Sequence, residues 1–199
     1  MSERVQLGWA FIIGFIAAVI WAISWGGWLL SIPFLLFLGL PPHQAIATNK
    51  IASCWFSLTW FLKFLHHDKI IWSITLPFIP LAILWGVLWS KALLLHSAVK
   101  VSTLIGICLL VLLPVVALGK HGLHHIDTKL WQRILGAFTY TACMFFGGFF
   151  WGWSGTLLIY NQMFFYGLPI IKANANNTLP VFCMSVTSTI IYALAGAIN

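Results

Sequence analysis

Residues 24–53 read SWGGWLLSIPFLLFLGLPPHQAIATNKIAS, and residues 152–178 read GWSGTLLIYNQMFFYGLPIIKANANNT. Aligned without a gap at an offset of 128 residues, the two stretches share glycine, proline and asparagine as well as apolar residues. The identical positions of the first stretch are Trp25, Gly27, Leu29, Leu30, Phe37, Gly39, Leu40, Pro41, Ala45, Ala47 and Asn49. Abundant Leu and Phe do not explain Gly, Pro and Asn matching in register, so the sequence contains an internal repeat.

Each copy contains an apolar run that glycine interrupts. Residues 8–23 lead into the first glycine cluster and 28–40 follow it, while 131–151 lead into the second and 156–167 follow. As helices, the second arms would extend about 18 to 20 Å, short of a bilayer of roughly 30 Å. The pattern predicts two hairpins, each with a half-membrane helix and a non-helical tip.

The composition places the whole chain in a membrane. Of its 199 residues 61% are hydrophobic and 7% are charged, and the mean hydropathy is +0.99. Soluble domains are roughly 45 to 50% apolar and 25% charged. A soluble enzyme, a disordered chain and a nucleic-acid-binding protein are therefore excluded, and the net charge of +7 reflects topology signals between spans.

Four further apolar runs are long enough to cross a bilayer, which takes about 20 residues. They cover 44–65, 70–89, 101–119 and 173–196. The segment 91–100 has Lys at both ends, and we interpret it as an interfacial turn of helix.

Three crossings separate the two hairpins, and an odd number inverts the second copy relative to the first. We therefore expect an all-α polytopic membrane protein with two inverted repeats, each starting with a Gly-broken helix hairpin. Residues 1–119 would form the first repeat, with three spans, and 120–199 an incomplete second repeat with one span. Inverted repeats with interrupted helices are typical of secondary transporters, which hold their substrate near the bilayer midplane.

The basic residues predict an orientation, because cytoplasmic loops carry an excess of Lys and Arg. Arg4, Lys91 and Lys100 fall on one face. The opposite face carries Lys63, Lys69, Lys120, Lys129, Arg133 and Lys172. The second face is predicted to be cytoplasmic, with the N-terminus outside.

The candidate binding residues lie at the two helix breaks and in the polar turns that follow them. Backbone at membrane depth is non-helical only where it is buried in protein or lines a cavity, and helix N-termini suit anions. Polar groups inside a span are costly unless paired, so they face the protein interior or a substrate path. The candidates are Gly26, Gly27, Thr48, Asn49, Lys50, Gly152, Ser154, Gly155, Asn176 and Asn177. An alternative remains for two of these groups: the glycines could serve close helix packing, and Lys50 could extend to the interface.

A catalytic or metal site has less support in the sequence. His66, His67, His121, His124 and His125 lie in two loops of one face without a ligand motif, so we interpret them as solvated. No carboxylate lies within a predicted span, which argues against an intramembrane hydrolase. No metal, cofactor or enzymatic activity is expected, although a metal-dependent membrane enzyme using these histidines is a minor alternative.

At its repeated signatures the chain resembles the sulfite exporter TauE/SafE family of bacterial membrane permeases. The first signature, a glycine cluster, an apolar arm and then GLPPHQAIATNK, is the more specific match, and residues 152–178 resemble the second. The resemblance carries over to Gly26, Gly27, Asn49 and Lys50 in the first copy and to Gly152, Gly155 and Asn177 in the second. Family members usually continue for two further membrane segments, so the sequence predicts a C-terminally short member.

The resemblance implies a multi-pass permease of the bacterial cytoplasmic (inner) membrane that exports a small anion, such as sulfite or an organosulfonate, by alternating access. Its expected partners are the anionic substrate, the lipid bilayer, and a second copy or a full-length paralogue, with no nucleic acid. A second hypothesis is a truncated paralogue that does not transport and instead assembles with, or regulates, a membrane partner.

Overall fold

A computed structural model describes residues 3–24, 27–97, 129–150 and 154–198. Within these ranges the chain is helical and contains no β-strand, which confirms the predicted all-α fold. The helices are α1 (Glu3–Ser24), α2 (Trp28–Phe37), α3 (Pro42–His66), α4 (Trp72–Thr75), α5 (Phe78–Leu95), α6 (Leu130–Phe150), α7 (Ser154–Tyr166) and α8 (Ile170–Leu194). The predicted span 101–119 lies outside the described residues.

Helices α6 and α7 form an antiparallel hairpin. Asn161 on α7 donates from Nδ2 to Thr139 Oγ1 on α6 at 2.6 Å. Further along, the Tyr166 hydroxyl donates to the backbone oxygen of Arg133 at 3.2 Å. Since α7 has only 13 residues, it returns along about 20 Å of α6. In the first copy, α2 has 10 residues and packs against α1. A long helix followed by a short one therefore occurs in both copies.

The Gly-Leu-Pro sequence that closes each short helix adopts the same backbone in both copies. Gly39 and Gly167, 128 residues apart, both have positive φ angles, of 90° and 63°. Glycine adopts this conformation without the steric cost that a Cβ would add. Pro41 and Pro169 then precede α3 and α8 with ψ angles of 146° and 149°. The repeated residues therefore set the same turn between a short helix and a long one.

The predicted span 70–89 is interrupted and ends later than expected. Helix α4 is followed by a turn at Leu76 and Pro77, and α5 then continues through Lys91 to Leu95. Proline has no backbone N–H, so Pro77 removes one helix hydrogen bond, which accounts for the break. In the segment 91–100, which we interpreted as an interfacial turn of helix, residues 91–95 are helical and continue α5, whereas 98–100 lie outside the described residues.

Two helical stretches among the described residues are long and apolar enough to cross a membrane. They are Trp72–Leu95, counted across the α4–α5 turn, and Ile170–Leu194. Helix α3 is as long as α8, at 25 residues. Many large apolar side chains on α1, α3, α5, α6 and α8 are exposed, as expected of surfaces that contact lipid.

Helix α8 occupies the centre of the bundle, where it packs against α3, α4, α5 and α7. It approaches α5 closely at Gly86, where an added Cβ would lie 3.0 Å from the backbone oxygen of Met184. Against α3 it runs antiparallel. Cys54 Sγ lies 3.4 Å from Thr189 Oγ1, and Tyr192 near the end of α8 shares a core cluster with Ile46 near the start of α3.

Basic side chains collect at one end of this bundle. The residues concerned, all exposed, are Lys63, Lys69, Lys129, Arg133 and Lys172, and we call this end the basic end. It contains the last turn of α3 and the first turns of α6 and α8. At the other end, His43 Nε2 lies 3.0 Å from the backbone oxygen of Leu93, two residues beyond the exposed Lys91. The sequence predicts Lys91 to lie on the face opposite these five basic residues, and in the described helices it lies at the opposite end of the bundle.

Candidate functional site

The first polar cluster consists of Ser31, Thr48, Asn49 and Lys50, where α2 meets α3. The Ser31 hydroxyl donates to Asn49 Oδ1 at 2.6 Å. This bond holds the amide of a spanning helix against the half-membrane helix that precedes it. Thr48 Oγ1 is buried and meets no hydrogen-bond partner in the part of the chain that the structure describes.

Lys50 is 2% exposed, and Asn49 is 3% exposed. Among the Lys and Arg side chains that the structure describes, Lys50 is the buried one. A lysine that extended to the membrane interface would keep its ammonium group in water. The observed burial therefore excludes that alternative and leaves Lys50 facing the protein interior.

The glycine break before α2 is partly described. Gly27 is buried, and its backbone oxygen accepts from the N–H groups of Leu30 and Ser31, both at 3.1 Å. Gly27 thus starts the helix that carries Ser31. Gly26 lies outside the described residues.

The second polar cluster consists of Thr75, Tyr140, Gln162, Asn176 and Asn177. Asn177 Oδ1 accepts from the Tyr140 hydroxyl at 2.7 Å and from Gln162 Nε2 at 2.9 Å. These three side chains lie on α8, α6 and α7, and each is buried. The hairpin therefore fixes the Asn177 amide from two sides.

Asn176 makes a different set of contacts. Its Oδ1 accepts from the Ile71 backbone N–H at 2.6 Å and from Thr75 Oγ1 at 3.0 Å. The N–H groups at the start of a helix lack partners within the helix. The Asn176 carbonyl oxygen meets one of them and so attaches α4 to α8.

The break before α7 is described only from its C-terminal side. Gly155 is buried within the first turn of α7. Ser154 is the first residue of that helix, and its side chain is not described. Gly152 lies outside the described residues.

Asn49 and Asn177, which match in the sequence repeat, occupy equivalent environments. In each copy the short helix donates a side-chain hydrogen bond to the Oδ1 atom of the asparagine on the following long helix. The donors differ, because Ser31 acts in the first copy and Gln162 in the second. Tyr140, Gln162 and Thr75 were missed by the sequence analysis, although a polar Asn161–Gln162 pair inside an apolar arm was a usable signal.

The structure does not bring the two asparagines together. Asn49 precedes Cys54 by five residues, and Asn177 precedes Thr189 by twelve, on antiparallel helices that touch at the latter pair. At a rise of 1.5 Å per residue, the two clusters are about 25 Å apart along the helix axes. The two clusters therefore lie at different depths along the α3–α8 pair, and the second polar cluster is nearer the basic end.

We expect Ser31→Ala to destabilise the protein by about 1–3 kcal/mol, because it leaves the Asn49 carbonyl oxygen buried without its donor. Thermal unfolding in detergent, followed by tryptophan fluorescence, measures this loss. Ser57→Ala is the matched control. In the described ranges of the chain, the Ser57 hydroxyl bonds only to the Ser53 backbone oxygen of its own helix, so its removal should have a smaller effect. Equal melting of the two variants would contradict the assigned role of Ser31.

Within the described part of the chain, no group of three His, Cys, Asp or Glu side chains is placed to hold a metal ion. His66, the last residue of α3, and His67, which follows it, are exposed, and their rings pack edge to face. His121, His124 and His125 lie outside the described residues.

Comparison with known proteins gives one family and several relatives. The family model of the sulfite exporter TauE/SafE matches residues 10–199. A probable membrane transporter protein of Haemophilus influenzae is 28% identical over 193 residues, which cover 94% of this chain and 74% of that protein. The probable membrane transporter protein YfcA of Escherichia coli is 34% identical over 70 residues, or 35% of this chain and 26% of YfcA.

A third relative, the probable membrane transporter protein ORF9 of Sinorhizobium sp, is 24% identical over 197 residues. The alignment covers 96% of this chain and 74% of that protein. No solved structure matches the chain.

Proposed function

Because the chain belongs to the sulfite exporter TauE/SafE family, a family of membrane transporters, we propose that it exports a small anion, such as sulfite or an organosulfonate, across the bacterial cytoplasmic membrane. The observation that carries this proposal is the burial of Lys50 and Asn49 in α3 and of Asn176 and Asn177 in α8. An ionisable or amide group inside a span is expensive to bury and marks a substrate path.

The arrangement of α3 and α8 supports alternating access between two inverted repeats. The two helices follow the same Gly-Leu-Pro turn in the sequence, yet they run antiparallel in the bundle. Inverted copies of this kind expose a shared path to one side and then to the other when they rock against each other. The short helices α2 and α7, which hold Asn49 and Asn177, would move with their own copy.

The basic end supports the proposed direction. Cytoplasmic loops carry an excess of Lys and Arg, so this end would face the cytoplasm. An exported anion would then meet the second polar cluster first and the Lys50 cluster second. The exposed lysines at the entrance would also attract anions electrostatically.

The experiment that tests the proposal is a flux assay with the purified chain reconstituted in lipid vesicles. Vesicles are loaded with sulfite or methanesulfonate, and the release of each anion is followed against protein-free vesicles. We expect release that saturates with anion concentration and that a second anion inhibits. Release equal to that of protein-free vesicles for both anions would refute the proposed function.

A further inference from the structure

The second polar cluster contains buried hydrogen-bonding groups that lack partners. Within the part of the chain that the structure describes, Asn176 Nδ2 and Asn177 Nδ2 donate to nothing, and Gln162 Oε1 accepts from nothing. Each unmade hydrogen bond of a buried polar group costs roughly 1–3 kcal/mol. Native proteins keep few such groups, so these three atoms leave three hydrogen bonds that a bound molecule would make.

The existing hydrogen bonds of the Asn176 and Asn177 side chains determine which of their amide atoms remain available. Asn176 Oδ1 is held by the Ile71 N–H and Thr75, and Asn177 Oδ1 is held by Tyr140 and Gln162. Both carbonyl oxygens are therefore occupied, and both NH₂ groups are left for a ligand. A molecule bound here would be met by two N–H donors, which match the oxygens of an oxyanion.

This cluster contains no charged side chain. Its five described members, Thr75, Tyr140, Gln162, Asn176 and Asn177, are neutral residues. Lys172, one turn before Asn176 on α8, is exposed at the basic end, where solvent screens its charge. Lys50, the buried lysine of the part of the chain that the structure describes, belongs to the first polar cluster, about 25 Å away along the helices. A single negative charge can be held by neutral N–H donors, whereas a second uncompensated charge in a low-dielectric interior costs several kcal/mol more.

We infer that the transported species is a monovalent oxyanion, such as hydrogensulfite. Two of its oxygens accept from Asn176 Nδ2 and Asn177 Nδ2, and in an anion that retains an O–H, as hydrogensulfite does, that group donates to Gln162 Oε1. At the first polar cluster, the single ammonium group of Lys50 matches the single negative charge of the anion. This inference rests on the proposed anion export and adds the protonation state of the substrate.

The first test compares two anions across a range of pH. Methanesulfonate stays a monoanion at every pH used, whereas hydrogensulfite loses its proton and becomes the sulfite dianion as the pH rises. In vesicles containing the wild-type chain, we expect sulfite release at constant total sulfite to fall about tenfold per pH unit once the dianion predominates. Methanesulfonate release should change little. It controls for titration of the protein, including Tyr140, whose hydrogen-bonded partner Asn177 and neighbour Gln162 are uncharged.

The possible results separate the two claims. Sulfite release that stays constant or rises as the dianion forms would overturn the monoanion inference while leaving anion export intact. Release of neither anion at any pH would refute the proposed function itself.

A second test places a negative charge in the cluster. Asn177→Asp keeps an oxygen for Tyr140 and Gln162 to donate to, but it replaces the free NH₂ donor by an acceptor. We expect release of both anions to fall at least tenfold. Tyr140→Phe removes one hydrogen bond and leaves the Asn177 NH₂ group in place, so its effect should be several-fold smaller. Wild-type release by Asn177→Asp would overturn the assignment of this donor, and melting temperatures of both variants establish that each is folded.

Discussion

Replacing Lys50 by methionine is expected to lower anion release from reconstituted vesicles by about 10- to 100-fold. Lys50 is 2% exposed in α3, beside Asn49. Methionine fills a similar volume but cannot supply the ammonium charge. A hydrogen bond to a charged group contributes about 1.5–3 kcal/mol, and each 1.4 kcal/mol corresponds to a factor of about ten in affinity.

The matched control for this substitution is Lys63→Met, which makes the same change further along the same helix. Lys63 is exposed at the basic end, where its ammonium group lies 4.9 Å from the ring centre of Trp60. We expect a change in release of less than about twofold, because exposed charges are screened by solvent. Equal release by Lys50→Met and wild type would remove Lys50 from the anion path.

Gly136→Ala is expected to cause a large loss of stability. A Cβ atom on Gly136 would lie 2.5 Å from Phe165 Cβ and 2.8 Å from Tyr166 Cε2, so α6 and α7 must move apart. Overpacking of this kind costs about 1–3 kcal/mol. For a chain of this size that corresponds to a fall in Tm of roughly 2–12 °C, measured in detergent by tryptophan fluorescence.

Gly14→Ala in α1 is the control for that substitution. An added Cβ there meets no atom within 4 Å, and alanine favours helix over glycine. Its Tm should therefore stay the same or rise slightly. If Gly136→Ala melts at the temperature of Gly14→Ala, the close α6–α7 packing described above is wrong.

The local structure could be predicted where the sequence itself fixes the backbone. The repeated Gly-Leu-Pro sequences mark the end of each short arm, because glycine permits positive φ and proline fixes its own φ, and the structure gives both glycines positive φ. The lengths of α3 and α8 followed from their apolar runs. The interruption at Leu76 and Pro77 was missed, because an apolar run alone does not reveal whether its proline ends a helix or only bends it.

The candidate site was harder to predict, because it depends on packing between distant segments. Asn49 and Asn177 were identified from their matching positions in the repeat. The sequence could not reveal that Tyr140 and Gln162 hold Asn177, since this depends on how α6 and α7 pack on α8. It also could not reveal that antiparallel crossing of α3 and α8 separates the two clusters.

The central claim is that the Lys50 face of α3 lines a water-accessible path for anions, and Cys54 tests it most directly. Cys54 lies one helical turn beyond Lys50 and is half-buried, with its thiol against Thr189. With the other three cysteines of the chain replaced by serine, the measurement is the rate at which 2-sulfonatoethyl methanethiosulfonate, an anionic thiol reagent, modifies Cys54 in vesicles. We predict modification that sulfite or methanesulfonate slows and that outpaces modification by a cationic reagent of similar size. Absence of modification, or a rate that neither anion changes, would contradict the account.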